Sequence, residues 1–318
     1  MNDRSPNSTA LQADAPLSAL DGVVRLSHLG VIRAQGIDAA SFLQGQLSQD
    51  FVLLKPDQAR LAAYCSAKGR MLASFVGFQH SADGFLLVCS ADLLATTLKR
   101  LGMFVLRAKV QLSDASADFQ IWGCIGSAVH ALAGNNLGVL AKRELESATM
   151  VGLHPAAGQV RALWLAPAEA PAPLGSPLAP GLWAWGEVQS GVATLSAPLV
   201  DAFVPQMLNF ESVGGVNFKK GCYPGQEVVA RSQFRGVIKR RAFIVHANAP
   251  LLPTQEIFHD GEPEQACGQV VQVASAQDGA CVAIAVLQVT ATESGNLSTS
   301  GGTLVSLMPL PYPLLEDI

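Results

Sequence analysis

Short β-like segments separated by turn residues fill the C-terminal part of this chain, and they constrain its fold more than any other feature. The segments are residues 241–246, 268–274, 281–289 and 303–308, with Gly, Pro, Asp and Ser between them. Closely spaced short strands of this kind are typical of small antiparallel barrels. The sequence therefore predicts a small all-β barrel over residues 241–318.

The chain upstream of this region is too long for one core and mixes helical and strand-like patterns. With 318 residues, of which 49% are hydrophobic and 14% charged, two or three domains are expected. Strand-like runs occur at residues 71–78 and 85–89. We expect a loose tail over residues 1–20 and an α+β body over residues 21–240.

Two amphipathic helices and one long connector are predicted within the body. Asp38 is a candidate N-cap for a helix that reaches Gln49, and Ser90 for a second helix that Gly102 ends. Residues 166–181 contain five prolines mixed with Ala and Gly, a composition that favours an exposed connector or a long loop. Trp183 and Trp185 follow it and alternate as residues entering a strand do, so packing is a more common role for them than stacking on a ligand.

Neither a membrane anchor nor a secretory signal is evident in the sequence. The longest apolar run, residues 280–289, is about half of what spans a bilayer. The first twenty residues lack the charged, apolar and small-residue order of a signal peptide. We therefore expect a cytoplasmic protein with no membrane partner.

Six cysteines are spread along the chain without a metal-binding pattern. No C-x-x-C pair and no histidine cluster is present, so no zinc or iron–sulfur ligand set is predicted. Cys89 and Cys281 lie in apolar, strand-like runs, where a small buried hydrophobe is the usual interpretation.

Cys222 has different surroundings, because it lies in the segment KKGCYPGQEVVARSQFRG of residues 219–236. Pro224 suits the first turn of a helix that continues to Phe234 and that Gly236 would close. A helix N-terminus and a lysine pair next to a thiol both favour its thiolate form. The sequence thus predicts that Cys222 is the reactive cysteine of the chain.

Basic residues are concentrated around this cysteine. Between positions 219 and 241 the only acidic residue is Glu227, and the net charge is +6, whereas the whole chain carries −4 and the remainder −10. The basic residues of this segment are Lys219, Lys220, Arg231, Arg235, Lys239, Arg240 and Arg241. Such a concentration attracts an anion, whether a polycarboxylate, a phosphate or RNA, although a solvated helix face followed by a basic strand edge gives the same pattern.

The sequence motifs of several common enzyme and nucleotide-binding classes are absent. The sequence contains no G-x-x-x-x-G-K-[ST], no G-x-G-x-x-G, no H-E-x-x-H and no G-x-S-x-G. The six histidines are scattered, and each is interpreted as a surface or internally satisfied residue, which makes a Cys–His hydrolase a weak candidate.

The chain resembles the YgfZ group of folate-binding, iron–sulfur-related proteins, relatives of the glycine-cleavage T-protein, an aminomethyltransferase. The resemblance rests on residues 220–227 (KGCYPGQE) with Arg231 and Gly236 after them. Supporting stretches, in the family's order, are residues 42–50 (FLQGQLSQD), the Gly69-Arg70 turn, residues 203–206 (FVPQ), and Leu208 with Asn209.

The resemblance implies interlocked, ferredoxin-like subdomains around a central cavity for tetrahydrofolate or a one-carbon derivative, with a barrel on one side. It further implies a role in the assembly or repair of iron–sulfur client enzymes, including one that methylthiolates tRNA, so that tRNA is an indirect partner. By the resemblance, Cys222 is the functional thiol, Lys220, Gln226 and Glu227 shape its surroundings, and Arg231 is a candidate anion contact. Arg70 either faces the cavity or is an ordinary hairpin arginine.

Two departures from the relatives bear on activity. By the resemblance, the T-protein carries an acidic pair at the positions that Ala73 and Ser74 occupy in this chain. Without that carboxylate, aminomethyl transfer is the second choice of function. Gln189 stands where relatives place a pterin-binding glutamate, with Glu187 two residues earlier; an amide has one acceptor oxygen where a carboxylate has two. A non-catalytic module that binds tRNA or a protein is the other alternative.

Overall fold

The fold is described by a computed structural model that covers residues 20–275 and 279–315. Apart from Leu20, the tail predicted over residues 1–20 lies outside the described residues.

In the described part of the chain, ten strands make up two antiparallel sheets in the body of the protein. They are β1 (Gly22–Arg25), β2 (Leu29–Gln35), β3 (Ala59–Cys65), β4 (Met71–Ser81), β5 (Gly84–Ser90), β6 (Gln111–Asp114), β7 (Phe119–Ile125), β8 (Lys142–Glu144), β9 (Thr149–Ala156) and β10 (Gln159–Pro167). One sheet has the order β1-β7-β10-β9-β8 and the other the order β3-β4-β5-β2-β6. The subdomains interlock because β1 pairs with β7, whereas β2, which follows it directly, joins the other sheet.

The described residues contain five α-helices, of which the first four contact strands and the fifth contacts a 3-10 turn. They are α1 (Ala39–Gln46), α2 (Ala91–Gly102), α3 (Ser127–Ala133), α4 (Pro180–Gln189) and α5 (Gln226–Phe234), and short 3-10 turns occur at Ala197–Leu199, Pro205–Leu208 and Val289–Thr292. The predicted helix starts at Asp38 and Ser90 are confirmed, but neither side chain caps its helix. The Asp38 carboxylate instead accepts a hydrogen bond from the Lys109 backbone N–H at 2.7 Å. Helix α1 also ends at Gln46, before the predicted Gln49.

The prediction that Trp183 and Trp185 enter a strand is wrong, because both lie in α4. Pro180 occupies the start of that helix, where its fixed φ and missing N–H are tolerated. Trp183 is buried against β7, and a Cβ at Gly123 would lie 2.6 Å from its ring, so a glycine is needed there. Both tryptophans are buried although they lie two positions apart in a helix, and this spacing is the same as that of buried residues in a strand.

The predicted β-barrel is confirmed. Its strands are β11 (Arg240–Ala247), β12 (Glu256–His259), β13 (Glu262–Ser275), β14 (Cys281–Gln288), β15 (Leu297–Thr299) and β16 (Leu304–Met308). They close in the order β11-β14-β13-β12-β15-β16, and β16 pairs back with β11. Closure leaves no exposed sheet edge. Four of the six strands match the segments predicted from sequence, while the short β12 and β15 were not foreseen.

The barrel is joined to the body by buried polar contacts and by shared apolar packing. Arg241 at the start of β11 forms an ion pair with the Glu211 carboxylate, and both side chains are buried. The Asn209 amide donates to the Ala242 carbonyl oxygen at 2.8 Å, and the Tyr312 hydroxyl donates to the Gly191 carbonyl oxygen at 2.7 Å. These contacts fix the barrel and the segment after it against the body.

Within residues 20–275 and 279–315, no helix combines the length and the apolar character that crossing a membrane requires.

Candidate functional site

A cavity lies between the two sheets, closed on one side by α4 and the segment that follows it. Its volume is about 80 Å³. Most of the lining is apolar and comes from both sheets, including Leu61, Phe75, Val88 and Leu163. The polar groups that reach it are Ser74, His154, Arg161, Glu187, Ser190 and Thr194. Small-molecule sites are usually mainly apolar, with a few polar groups that orient the ligand.

Glu187 brings a carboxylate into this cavity from α4. Its side chain is 14% exposed, and one oxygen lies 3.6 Å from Nε2 of His28. The other accepts a hydrogen bond from the Gln272 amide at 3.3 Å. The hydrogen bond and charge of Glu187 raise the pKa of His28, which burial would otherwise lower. The carboxylate is thus oriented by two neighbours from outside its own helix.

Gln189 points elsewhere, since successive helical residues are about 100° apart and two steps carry a side chain past the opposite face. It does not line the cavity. Its amide nitrogen lies 4.0 Å from the sulfur of Met308 on β16. Of the two residues predicted to bind cofactor on this helix, the structure places only Glu187 in the cavity.

Two nitrogen-bearing residues of the cavity were not singled out from the sequence. Arg161 opens the apolar run of β10 and is 4% exposed, with its guanidinium carbon 4.4 Å from the ring centroid of Trp183. Burial lowers its pKa to about 10, opposed by the charge of Glu187. His154 on β9 contributes an imidazole whose pKa is lowered, chiefly by burial. A lone arginine at the head of an otherwise apolar strand was the signal available for Arg161.

Ser74 presents a hydroxyl to the cavity wall at the position where the resemblance to the T-protein implies a carboxylate. That hydroxyl accepts a hydrogen bond from the Leu195 N–H at 2.9 Å. Ala73 beside it is fully buried. Neither residue supplies an acid at this wall.

Cys222 lies in a separate surface loop and does not line the cavity. It is exposed, whereas the other five cysteines are buried. Burial raises the pKa of Cys65, Cys89 and Cys124 to about 12 each. Accessibility alone therefore separates Cys222 from every other thiol of the chain.

The helix after Cys222 begins later than predicted. Gly225 is the residue before α5, with φ +78°, and Gln226 is its first helical residue, so Pro224 lies in a preceding turn. The helix ends at Phe234, before Gly236. Because the field of a helix terminus falls off within its first turn, the predicted effect of that terminus on Cys222 is not supported. The left-handed Gly225 is what delays the helix.

Lys220 is directed inward, away from solvent. It is 8% exposed, and its ammonium donates to the carbonyl oxygens of Gln44 and of Leu47, the latter at 2.6 Å. These oxygens belong to the C-terminal end of α1, where backbone acceptors lack helical partners. The ammonium also lies 4.6 Å from the ring centroid of Tyr223. Burial lowers the pKa of Lys220 to about 8, while nearby Asp50 and Cys222 oppose that shift.

The stretches that carried the resemblance meet around this loop. The Ser48 hydroxyl donates to the Gly215 carbonyl oxygen at 2.6 Å, which ties residues 42–50 to the approach to Lys220. The buried Gln206 amide donates to the Val229 carbonyl oxygen of α5 at 2.7 Å. Long-range hydrogen bonds, and not sequence proximity, thus assemble the loop.

Arg70 is half-buried beside this loop and holds protein backbone. Its guanidinium donates to the carbonyl oxygen of Ala202 and, at 3.5 Å, to that of Asp201. It does not line the cavity. Of the two interpretations left open by the sequence, this arrangement corresponds to the hairpin arginine.

The remaining predicted residues lie at the start and along the outer face of α5. The Gln226 side chain accepts a hydrogen bond from the Tyr223 N–H at 3.3 Å. Glu227 and Arg231 form an exposed ion pair at 2.6 Å, one helical turn apart. Arg231 is therefore accessible to an anion but already has a carboxylate partner.

The basic segment is not one surface patch. Lys220 and Arg241 are buried and paired with protein oxygens, and Arg240 is half-buried. Four of its cations are exposed, and Glu227 offsets one of them. The exposed cations are Lys219, Arg231, Arg235 and Lys239. Burial of the other cations reflects their structural contacts, which the charge pattern could not indicate.

One hairpin connects the cavity with the cysteine loop. The turn between β3 and β4 packs against Gly225, and Leu61 and Ser74 of the same strands line the cavity. From Arg70 to Ser74 the strand covers about 13 Å at 3.3 Å per residue. The two parts of the candidate site are thus joined by one rigid element.

No family model matches the chain. Among solved structures, it is similar to the glycine cleavage system aminomethyltransferase T from Bartonella henselae, with a TM-score of 0.67, 16% identity, and coverage of 95% of this chain and 88% of that one. The fold is therefore that of aminomethyltransferase T, with its body and C-terminal barrel.

Proteins that are similar in sequence identify the family to which the chain belongs within this fold. The chain is 30% identical over 329 aligned residues to the tRNA-modifying protein YgfZ of Cronobacter sakazakii, covering 98% of both proteins. It is 26% identical over 320 residues to the protein of the same name from Aliivibrio fischeri, covering 96% of this chain and 97% of the relative. The chain belongs to the YgfZ family.

Proposed function

We propose that this protein binds tetrahydrofolate, or a one-carbon derivative of it, and acts as a cytoplasmic accessory factor in the assembly or repair of iron–sulfur enzymes. The observation that carries the proposal is the Glu187 carboxylate in an otherwise mainly apolar cavity between the two sheets. Relatives carry the name tRNA-modifying protein, which is consistent with a client enzyme that acts on tRNA.

The residues of the cavity are suited to a reduced pterin. A carboxylate accepts two parallel N–H hydrogen bonds, and adjacent N–H groups of this kind occur on the pyrimidine edge of a pterin. Apolar side chains such as Leu61 and Leu163 provide surfaces for the faces of the ring. Pockets for ligands of this size measure roughly 300–1,000 Å³, so the walls of a cavity of about 80 Å³ must move apart on binding.

Cys222 is proposed as the functional thiol of the accessory role. It is the accessible cysteine, its loop is assembled by the family's signature stretches, and the β3–β4 hairpin links that loop to the cavity. A one-carbon unit, a sulfur species or a cluster intermediate are the groups that such a thiol can handle.

Aminomethyl transfer is less well supported than the accessory role. Ser74 offers a neutral hydroxyl at the wall where a carboxylate would manage proton and cation chemistry, and that hydroxyl already accepts a backbone hydrogen bond.

A second candidate function is RNA binding without catalysis. The exposed cations Lys219, Arg231, Arg235 and Lys239 lie in the segment that contains Cys222. Contacts with phosphates release counterions, so tRNA affinity would fall steeply with salt. Measurement of tRNA binding between 50 and 200 mM salt tests this candidate, and a flat salt response or no binding would reject it.

Calorimetric titration with tetrahydrofolate tests the main proposal. We expect the wild type to bind and Glu187→Gln to bind at least about tenfold more weakly, because hydrogen bonds to charged groups contribute roughly 1.5–3 kcal/mol. Gln189→Leu is the matched control from the same helix and should keep its affinity within about twofold. No heat from the wild type at millimolar ligand rejects folate binding, and an unchanged Glu187→Gln variant rejects this cavity as its place.

A further inference from the structure

Arg161 is a buried cation for which the described protein provides no hydrogen-bond acceptor. Its side chain lines the cavity, and the Nε atom, which is inaccessible to solvent, has no partner. Among residues 20–275 and 279–315, no carboxylate lies within ion-pair distance of its guanidinium. Buried charges are normally paired and hydrogen-bonded, since leaving them otherwise costs several kcal/mol.

Two of its neighbours also carry a buried nitrogen without a partner, although the His154 imidazole is within hydrogen-bonding reach of the Val213 backbone. The Nε2 atom of His154 and the indole N–H of Trp183 are also buried without a partner in the described parts of the chain. The guanidinium lies on the Trp183 ring, and His154 lines the same cavity from the adjacent strand β9. Unsatisfied buried polar groups are few in native proteins. Two of these three residues, Arg161 and His154, line the cavity, which points to a ligand that completes them.

Opposite chemistry is present in the same cavity. Glu187 lies close enough to Arg161 for its charge to oppose the effect of burial on the guanidinium, yet the two groups are not in contact. The cavity therefore presents the two acceptor oxygens of Glu187 near the N–H donors of the Arg161 guanidinium. A ligand that fills both must carry donors and an acceptor next to one another on one edge.

We propose that Arg161 is a specificity-determining residue that donates hydrogen bonds to the carbonyl oxygen at position 4 of a pterin ring, assisted by His154. This inference rests on the proposed folate binding. On the pyrimidine edge of a pterin, the 2-amino group and N3–H are donors for the Glu187 carboxylate, and the adjacent O4 is an acceptor for the guanidinium. A planar guanidinium is suited to an acceptor beside a carboxylate contact.

The arrangement discriminates between ligands that differ at position 4. Tetrahydroaminopterin carries an amino group there in place of the oxygen, and its N3 then bears no hydrogen, so one donor to Glu187 is lost as well. That amino group would face the donors of Arg161 and leave them unpaired. Sites built to pair a particular polar group reject analogues that lack it, because the buried partners are left unsatisfied.

The experiment is anaerobic calorimetry with tetrahydrofolate and tetrahydroaminopterin on the wild type and on Arg161→Met, which has a similar length and no charge. We expect the wild type to bind tetrahydrofolate at least tenfold more tightly than its 4-amino analogue. In Arg161→Met the affinity for tetrahydrofolate should fall at least tenfold while that for the analogue stays the same or rises. Arg33→Met, which removes an arginine paired with Asp118 outside the cavity, is the control and should retain the wild-type ratio.

Each other result has a distinct meaning. If the wild type binds both compounds equally, or if Arg161→Met weakens both by the same factor, the role of Arg161 is rejected while folate binding stands. If the wild type binds neither compound, folate binding itself fails, and the inference fails with it. Circular dichroism checks the folding of Arg161→Met; if that variant does not fold, Arg161→Leu takes its place in the same comparison of the two ligands.

Discussion

Gly225 and Gly69 pack backbone against backbone, although they belong to motifs in distant parts of the chain. A Cβ on Gly225 would lie 2.6 Å from the Cα of Gly69, and a Cβ on Gly69 would lie 2.8 Å from the Cβ of Val228. Both residues have positive φ, +78° for Gly225 and +71° for Gly69. The loop that presents Cys222 therefore depends on the β3–β4 turn that leads to the cavity.

Replacement of Gly225 by alanine should destabilise the protein. The left-handed conformation costs an alanine roughly 1–2 kcal/mol, and the contact with Gly69 and the Ser66 carbonyl adds to it, so a loss of about 2–4 kcal/mol is expected. Urea denaturation gives the free energy of unfolding. Gly221→Ala is the matched control, because a Cβ there meets nothing within 4 Å and should change stability by less than about 0.5 kcal/mol. Equal stability of the two variants would contradict the packing described.

Cys222 should react with iodoacetamide at neutral pH much faster than any other cysteine. It is exposed, whereas the other five are buried and Cys65, Cys89 and Cys124 have pKa values of about 12. Peptide mass spectrometry after timed alkylation measures each rate, and we expect a difference of at least about tenfold, because burial excludes the reagent from the other five cysteines and disfavours their thiolate form. Similar slow rates at all six positions would remove Cys222 from the proposed function.

A companion test concerns the role of that thiol in cells. Cys222→Ala should fail to restore the activity of iron–sulfur enzymes in a strain from which the gene has been deleted, whereas Cys281→Ala, which removes a buried thiol of the barrel outside the cavity, should restore it. Full restoration by Cys222→Ala would show that the sulfur is dispensable.

Much of the fold could be predicted from the sequence because its elements are locally encoded. Apolar runs bounded by turn residues indicated four barrel strands, and an amphipathic pattern between Ser90 and Gly102 indicated α2. Helix α4 was mistaken for a strand, because Trp183 and Trp185 alternate and both are buried by packing that the local pattern does not reveal.

The candidate site was predictable only in part, since its contacts join distant segments. The KGCYPGQE motif located Cys222, but the burial of Lys220 depends on the end of α1, to which it is bound across more than 170 positions. Arg161 and His154 carry no motif, and their unpaired nitrogens become evident only when β9, β10 and α4 are brought together. The roles of Lys220, Arg161 and His154 therefore depend on which groups the fold brings next to them.

The ion pair between Arg241 and Glu211 should be needed for the stability of the junction between barrel and body. Arg241→Met leaves the buried Glu211 carboxylate without its cation and should cost about 3–5 kcal/mol in urea denaturation. The exposed Arg235→Met serves as the control, with a change below about 0.5 kcal/mol. The double variant Arg241→Met with Glu211→Leu should recover most of the loss, because no charge is then left buried. A single variant as stable as the wild type would show that the pair contributes little.

His28 should titrate above its ordinary value because of Glu187. The hydrogen bond and charge of the carboxylate raise its pKa, so protonated His28 stabilises the folded protein fully below pH 6.5, and this contribution is lost as the pH rises through the raised folded-state value. The imidazole is 51% exposed, so solvent screens the effect and it should be small. Titration of the His28 ring proton by NMR measures the shift directly. In Glu187→Gln the pKa should fall to 6.5 or below, since burial then acts alone, whereas an unchanged pKa would mean that Glu187 does not hold the imidazolium.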